Sequence, residues 1–444
     1  MNIGVVGAGY VGLVTAVCLA EVGHNLKVVE VNAEKVEKLN NGECTIYEAG
    51  LTELLQNNIQ AGRLNFTNHL TDMINDCEAI FLCVGTPPKE DGSADLSQIE
   101  AAVKEIVAQS NEGQYKLIVV KSTVPVGTAD WLKEIVSSHA TGRQVIEIAS
   151  NPEFLREGVA VNDFMEPDRI ILGVSSIEGK RLLEKLYEPF ACPKIITDSN
   201  TAEVIKYAAN SFLATKISFI NMVSDLCEEV AADVSQVAEG MGYDKRIGPE
   251  FLKAGIGFGG SCFPKDLSAF LHVGQARGLN FGLLEQVISV NEERPARIQK
   301  KIESLVGPLK GKTIAFLGLA FKANTDDVRE SPSAKLAALL KKEDVTIRAT
   351  DPMASANFKA MYAPLAQSMD FFESAEETLK GSDCAVILTD WEHYKAIDWN
   401  KIKTIMNRAA VVDARNLYTE QNLRQLGYSY AGVGKELEKL EGVF

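Results

Sequence analysis

The sequence predicts an α/β protein: two doubly wound, parallel-sheet domains joined by a central region of long helices. Three observations carry this reading. Short, near-continuous apolar runs alternate with helical patterns over residues 1–195, and the alternation returns from 307 onward. Between them, Thr201 to Glu239 contains neither proline nor glycine and repeats apolar residues at helical spacing. The domains so read are 1–195, 196–306 and 307–444.

In chain order, the first sheet draws on Ile3–Val6, Leu26–Glu30, Ala79–Val84, Leu117–Val120 and Val145–Ala149. Each is short, apolar and followed by a helical pattern, as strands covered on both faces must be. Val204, Ala208, Phe212, Ile217, Ile220, Val223 and Leu226 then mark one long helix or two in succession. Such a helix bridges domains or builds a dimer interface, and the sequence leaves both open. Helical patterning resumes from Asp266 to about Val306. The last domain opens with a strand at Thr313–Gly318 and a helix at Ser333–Lys342. Strands at Val345–Ala349, Cys384–Thr389 and Ala410–Asp413 complete its sheet.

Composition removes several function classes. The 444 residues carry 60 acidic and 45 basic side chains, a formal net charge of -15. Nucleic acid is therefore not an expected partner, since phosphate binding needs a basic face. Eight cysteines are scattered without a C-x-x-C pair, which argues against a disulfide framework. The five histidines show no metal-ligand spacing, so no metal is expected. The first strand starts at Asn2 with no basic leader, and apolar runs fall short of the ~20 residues needed to span a bilayer. No membrane association is expected, and the cytoplasm is the expected location.

Gly7-Ala8-Gly9-Tyr10-Val11-Gly12 follows a strand and opens a helix. Glycines at 7, 9 and 12 permit the tight turn and the close approach of a pyrophosphate to the helix N-terminus. Acidic Glu30 ends the second strand, where it would accept from a ribose 2′-OH and repel a 2′-phosphate. Residues 1–195 thus read as a Rossmann-like domain for NAD rather than NADP, although Lys35 lies nearby. Gly85-Thr86-Pro87-Pro88 and Lys121-Ser122-Thr123-Val124-Pro125-Val126-Gly127 follow later strands and so share the ligand edge; the alternative is two plain polar turns.

The chemistry is concentrated further along. Gly257-Phe258-Gly259-Gly260-Ser261-Cys262-Phe263-Pro264-Lys265-Asp266 places one thiol after a glycine-rich turn, at the start of a helix whose first turn accommodates Pro264. Positions of that kind favour the thiolate through the helix dipole and free N–H groups. A nucleophilic thiol and a hydride acceptor in one chain suggest oxidation past the aldehyde, through a thioester, to an acid. The bland alternative for Cys262 is a small buried hydrophobe. Lys206 and Asn210 are four apart on the long helix and share a face, either as oxyanion donors or as a solvated edge. Ser150 to Gly158 adds two carboxylates and a guanidinium after the last strand of the first domain.

With these motifs in order, the chain resembles the UDP-glucose/GDP-mannose dehydrogenase family over essentially its whole length. The markers are Gly7–Gly12, Gly85–Pro87 with Asp91-Gly92, Lys121–Gly127, Asn151–Gly158, Lys206 with Asn210, Arg246 to Lys253, Gly257–Asp266, Phe321-Lys322 and Arg329. The resemblance implies oxidation of a sugar C6 alcohol twice, with two NAD and one water. Cys262 would form the thiohemiacetal and thioester. Lys206 and Asn210 would hold the oxyanion, with Lys206 also moving protons. Asp266, Glu153 and Thr123 would position or activate water. For NAD it implies Gly7, Gly9, Val11, Gly12, Glu30, Lys35, Thr86, Thr123, Glu157, Lys265 and Arg329.

For the sugar nucleotide the resemblance implies Glu153, Phe154, Leu155, Arg156, Glu157, Lys206, Asn210, Phe251, Leu252, Lys253, Gly259, Lys322 and, less closely matched, Arg415. Arg246 would reach the neighbouring subunit's site in a homodimer. Ser261 stands where the N-acetylhexosamine branches usually carry histidine, so the stretch resembles the UDP-glucose branch, giving UDP-glucose as substrate. Glu30 replaces the aspartate common in the family, with the same chemical meaning. GDP-mannose is the alternative substrate. A two-electron hydroxyacid dehydrogenase and a non-catalytic NAD- or nucleotide-sugar-binding protein are the alternative classes; neither needs Cys262 as a nucleophile.

Overall fold

The computed structural model describes residues 1–89 and 91–436. The end of the expected last domain, 437–444, lies outside the described residues. The chain forms two compact units, one of residues 1–209 with 268–279, the other of 210–267 with 280–444.

Among the described residues the first unit contains eight strands: β1 Asn2–Val6, β2 Asn25–Val29, β3 Leu64–Thr67, β4 Ala79–Leu82, β5 Tyr115–Val120, β6 Val145–Ser150, β7 Ile170–Gly173 and β8 Lys194–Thr197. Their order in the sheet is β3-β2-β1-β4-β5-β6-β7-β8. The first six are parallel, and the order reverses between β1 and β4, the switch point at which doubly wound sheets bind ligands. The expected strands are thus all parallel, and the sheet continues past them. β7 joins β6 antiparallel through the single pair Ser150↔Gly173, and β8 runs parallel to β7. The chain folds straight back after β6 through a loop and one short helix, Ala160–Met165, so β7 returns in the opposite sense.

The second unit contains β9 Thr313–Leu317, β10 Thr346–Thr350, β11 Met369–Phe371, β12 Cys384–Ile387, β13 Ala410–Asp413 and β14 Ser429–Gly432. The order β11-β10-β9-β12-β13-β14 repeats the first six strands of the other sheet, and every pair is parallel. Among the described residues this sheet therefore has six strands rather than the four expected. The two extra strands sit at its edges and are only three and four residues long.

The glycine-free stretch folds as two helices, Ser199–Glu229 and Val234–Gly242. They break at Ala231, whose φ of +57° interrupts the helical path, and Asp233 caps the second by accepting from the Ser235 N–H. Further on, helices run over Phe263–Gln275 and Gly282–Val306. Both sheets are sealed by apolar cores: Ile3, Val5, Val28, Phe81 and Val119 in one, Ile314, Phe316, Val386 and Val412 in the other, all fully buried. Among the described residues, no helix is long and apolar enough to cross a membrane.

Candidate active site

In the first unit the glycine turn lies between the end of β1 and the helix Tyr10–Glu21. Gly7 has φ +95°, and a Cβ there would lie 2.8 Å from the Cys83 carbonyl oxygen. A Cβ on Gly12 would lie 1.9 Å from the Gly7 carbonyl oxygen, so only glycine allows the helix to pack this close to the turn. Gly9, by contrast, faces open space, and no side chain caps the helix it precedes. First-turn N–H groups beneath an open glycine fit a pyrophosphate, and Val11 stands in that turn.

Glu30 follows β2. Its Oε2 accepts the Ala8 N–H at 3.3 Å, its Oε1 accepts the Asn32 N–H at 3.2 Å, and Lys35 Nζ lies 3.3 Å away. Burial pushes the Glu30 carboxyl up, but the Asn32 N–H and the Lys35 ammonium together hold it below the usual range. It therefore stands charged, beside the glycine turn, as recognition of a ribose diol requires. Thr86 and Thr123 are tied together: Thr86 Oγ1 donates to the Thr123 carbonyl at 2.9 Å, joining the loops after β4 and β5.

The loop after β6 carries Glu153, which is buried and pairs with buried Lys206 at 2.9 Å. Its other oxygen accepts the Leu155 N–H at 2.6 Å. Burial raises the Glu153 carboxyl, yet the adjacent Lys206 charge and hydrogen bond, with the Leu155 N–H, bring it below the usual range. Lys206 Nζ also lies 5.2 Å from the Phe154 ring centroid, and Arg169 stacks on that ring at 3.7 Å. Thr123, Ser122, Pro152, Glu203 and Lys206 line one small cavity. Arg156 is engaged locally, its guanidinium donating to Asp163 at 2.6 Å. Glu157 precedes Gly158, whose N–H donates to Glu48 at 2.8 Å.

In the second unit Cys262 immediately precedes the helix Phe263–Gln275, and its carbonyl accepts the Asp266 N–H at 2.8 Å. Pro264 stands in the first turn. The thiol is half-buried, 3.5 Å from Ser261 Oγ. Asp266 is buried; Asn210 Nδ2 donates to one oxygen at 2.6 Å and Lys265 Nζ lies 3.2 Å from the other. Thiol and carboxylate thus share one helix start, and the amide reaches that carboxylate from the helix Ser199–Glu229. A Cβ on Gly259 would lie 2.3 Å from the Glu330 carbonyl oxygen, which leaves glycine as the only residue that fits.

The remaining basic candidates differ in how they are used. Lys253 pairs with Asp390 at 2.8 Å, Arg329 with Asp327 at 2.7 Å, and Arg246, 89% exposed, with Asp244 at 2.6 Å. Arg415 is directed inward: it donates to the carbonyls of Leu388 at 2.8 Å, Phe321 at 2.7 Å and Gly257 at 3.3 Å. Lys322 lies 5.6 Å from the Phe321 ring centroid. Phe251 takes φ +65° next to buried Leu252, its ring 6.1 Å from that of Phe263.

Sequence reasoning passed over Tyr187 and Glu203, and it gave Lys121 no role beyond its place in the loop after β5. Lys121 is buried, donates to Asn151 Oδ1 at 3.0 Å, and burial pushes its ammonium down to about 8. Tyr187 OH donates to the same Asn151 oxygen. Glu203 accepts the N–H groups of Gly127 at 2.7 Å and Ala129 at 3.0 Å, so it caps the helix Thr128–His139. Its one sequence signal is its place three residues before Lys206 on the same helix. Among the described residues, no group of three or more His, Cys, Asp or Glu is placed to hold a metal ion.

Comparison with known proteins agrees along the chain. Residues 1–191 match the NAD binding domain of the UDP-glucose/GDP-mannose dehydrogenase family, 200–293 its central domain, and 315–420 its UDP binding domain. The chain is 45% identical over 436 residues to the UDP-glucose 6-dehydrogenase YwqF of Bacillus subtilis, covering 98% of each. It is 43% identical over 434 residues to the UDP-glucose 6-dehydrogenase TuaD of the same organism, covering 98% of this chain and 93% of the relative. A solved UDP-glucose dehydrogenase from Pyrobaculum islandicum superposes with a TM-score of 0.90 at 39% identity, covering 98% of each chain.

Proposed function

The chain belongs to the UDP-glucose/GDP-mannose dehydrogenase family, and we propose that it oxidises the C6 alcohol of UDP-glucose to the carboxylate of UDP-glucuronate. It is an NAD-dependent oxidoreductase. The observation that carries the four-electron reading is Cys262 at a helix start, with Asp266 in the first turn of that helix and Asn210, from the helix Ser199–Glu229, donating to Asp266. An alcohol-to-aldehyde oxidation needs no thiol; an aldehyde-to-acid oxidation at neutral pH does well with one.

NAD, when bound, would supply the hydride acceptor; the Gly7–Gly12 turn, Glu30 and the Thr86 and Thr123 loops would hold it, with Lys35, Glu157, Lys265 and Arg329 as further contacts. Lys206, as the neutral amine, would take the proton of the C6 hydroxyl while the C6 hydride leaves to the acceptor, which gives the aldehyde, and Glu153 would hold the resulting ammonium in place. The Cys262 sulfur then adds to the aldehyde carbon, and the former carbonyl oxygen takes the charge that Lys206 and Asn210 stabilise. Loss of the second hydride, to a second NAD, would collapse the oxyanion to a carbonyl and leave the acyl group on sulfur as the thioester. Asp266, Glu153 and Thr123 direct water onto that carbon, and the C–S bond breaks to release the carboxylate and the free thiol. Each oxyanion donor in such a site contributes about 2.7–4 kcal/mol.

The Glu153–Glu157 loop, Phe251–Lys253, Gly259, Lys322 and Arg415 are assigned to the sugar nucleotide. Arg246 is assigned to the neighbouring site of a homodimer, and its exposure leaves it available for that reach. The division into 1–195, 196–306 and 307–444 and a cytoplasmic location belong to the same proposal. The test is the number of NADH formed per UDP-glucose consumed. Two supports the four-electron reaction; one points to a two-electron dehydrogenase; none from UDP-glucose but turnover of GDP-mannose moves the assignment to that branch.

A further inference from the structure

We propose that Asn291 is the positioning residue for Cys262: its side-chain amide clamps the backbone of Phe258 and so fixes the course of the loop that delivers the thiol. The inference rests on the reading of Cys262 as the nucleophile, and it concerns a residue 29 positions further along the chain, on the helix Gly282–Val306.

The geometry is a two-point hold. Asn291 is buried; its Oδ1 accepts the Phe258 N–H at 2.8 Å and its Nδ2 donates to the Phe258 carbonyl at 3.0 Å. A primary amide offers one acceptor and one donor side by side, so it engages both backbone groups of one residue as a neighbouring strand would. The approach is close enough to dictate the sequence. Gly257 has φ +102°, and a Cβ there would lie 2.6 Å from Asn291 Oδ1. The next two residues, Gly259 and Gly260, bring no side chains to anchor the chain before Ser261 and Cys262, so the direction set at Phe258 is passed on to the thiol.

The flanking bonds are consistent with a segment held residue by residue. Asn221 Oδ1 accepts the Gly255 N–H at 2.8 Å, and Arg294 Nε donates to the Gly255 carbonyl at 3.3 Å. The Ile256 N–H donates to the Ala414 carbonyl at 3.0 Å, and the Gly260 N–H to the Arg329 carbonyl at 2.8 Å. Arg415 reaches the Gly257 carbonyl. Asn291 differs from these in satisfying both polar groups of one peptide residue with a single side chain. Its own helix is special at this point too, because Pro295 has no N–H to donate to the Asn291 carbonyl.

The test uses the full chain with Asn291→Ala and Asn291→Asp, steady-state kinetics with UDP-glucose and NAD, and amide hydrogen exchange by mass spectrometry. For Asn291→Ala, kcat is expected to fall about 10- to 100-fold, the loss typical of a reacting group misplaced by about 1 Å. KM for UDP-glucose is expected to stay within about threefold, and faster exchange to be confined to residues 255–262. Asn291→Asp keeps the acceptor but regains the donor only when protonated. Its kcat relative to wild type is therefore expected to climb as pH falls from about 8 to about 5.5, since burial raises a carboxyl pKa.

An unchanged kcat, exchange that accelerates uniformly through the unit, or a flat relative pH profile for Asn291→Asp would overturn the proposal. Should Asn291→Ala not fold, the pH profile of Asn291→Asp decides. If the wild type makes no NADH from UDP-glucose, the functional reading has failed, whereas exchange at 255–262 in the variants still decides whether Asn291 holds the loop.

Discussion

Replacing Lys206 with methionine would leave Glu153 buried, 5% exposed, without its counter-ion. Removing one partner of a buried pair typically costs about 3–5 kcal/mol, because the remaining charge has lost its compensation. The Leu155 N–H would still donate to Glu153, and the Lys121 charge lies close enough to help hold the carboxylate, which places the expected loss near the lower figure, about 3 kcal/mol at pH 7. The sign of the pH dependence follows. In the wild type the Glu153 carboxyl sits below its usual range, so the pair stabilises the fold above the unfolded pKa, and that contribution is lost as pH falls through the folded value. In Lys206→Met burial acts unopposed by the pair and the carboxyl rises, so the variant gains on the wild type as pH falls. The assay is the opening free energy of the β5 and β6 amides by hydrogen exchange at pH 7 and about pH 5, with Glu153→Gln/Lys206→Met as the neutral control. A difference from wild type that is the same at both pH values, or below about 1 kcal/mol at pH 7, would refute the argument.

Gly259→Ala puts a methyl group 2.3 Å from the Glu330 carbonyl oxygen, so the loop must shift; kcat is expected to fall at least about 100-fold with little change in melting temperature, checked by kinetics and calorimetry on the same preparation. Lys121 has a folded pKa of about 8, below its unfolded value, so the folded state releases this proton first and stability gains from it as pH rises from about 8 towards 10. Lys121→Met should remove that gain, read as the wild-type-minus-variant difference in urea midpoint across the same pH range; a difference independent of pH would contradict it.

The parts of this molecule that were legible in the sequence are those whose physics is local. Gly7, Gly9 and Gly12 announce a tight turn wherever a strand runs into a helix, and the central strands, such as Ala79–Leu82 and Ala410–Asp413, are apolar throughout because helices cover both faces. Cys262 was marked by its place between glycines and Pro264. The edge strands Leu64–Thr67, Lys194–Thr197 and Met369–Phe371 were not legible, since three or four residues with polar members resemble loops. The reversed strand Ile170–Gly173 was missed for the same reason of length. Nor does a sequence say how a guanidinium is spent. Arg415 and Arg156 read as cations for an anionic substrate; the local groups that hold them, three carbonyls for the first and Asp163 for the second, are supplied by the fold. Asn291 and Glu203 were invisible because their partners, Phe258 and Gly127, lie 33 and 76 residues away.

The most direct test of the central claim is the turnover of UDP-glucose by Cys262→Ser, with NADH counted per enzyme and per sugar. The thioester account expects steady turnover to disappear, because a serine hydroxyl cannot replace the thiol in carrying the acyl group. Undiminished turnover in the variant, with one NADH per sugar in both proteins, would contradict it and remove Cys262 from the chemistry.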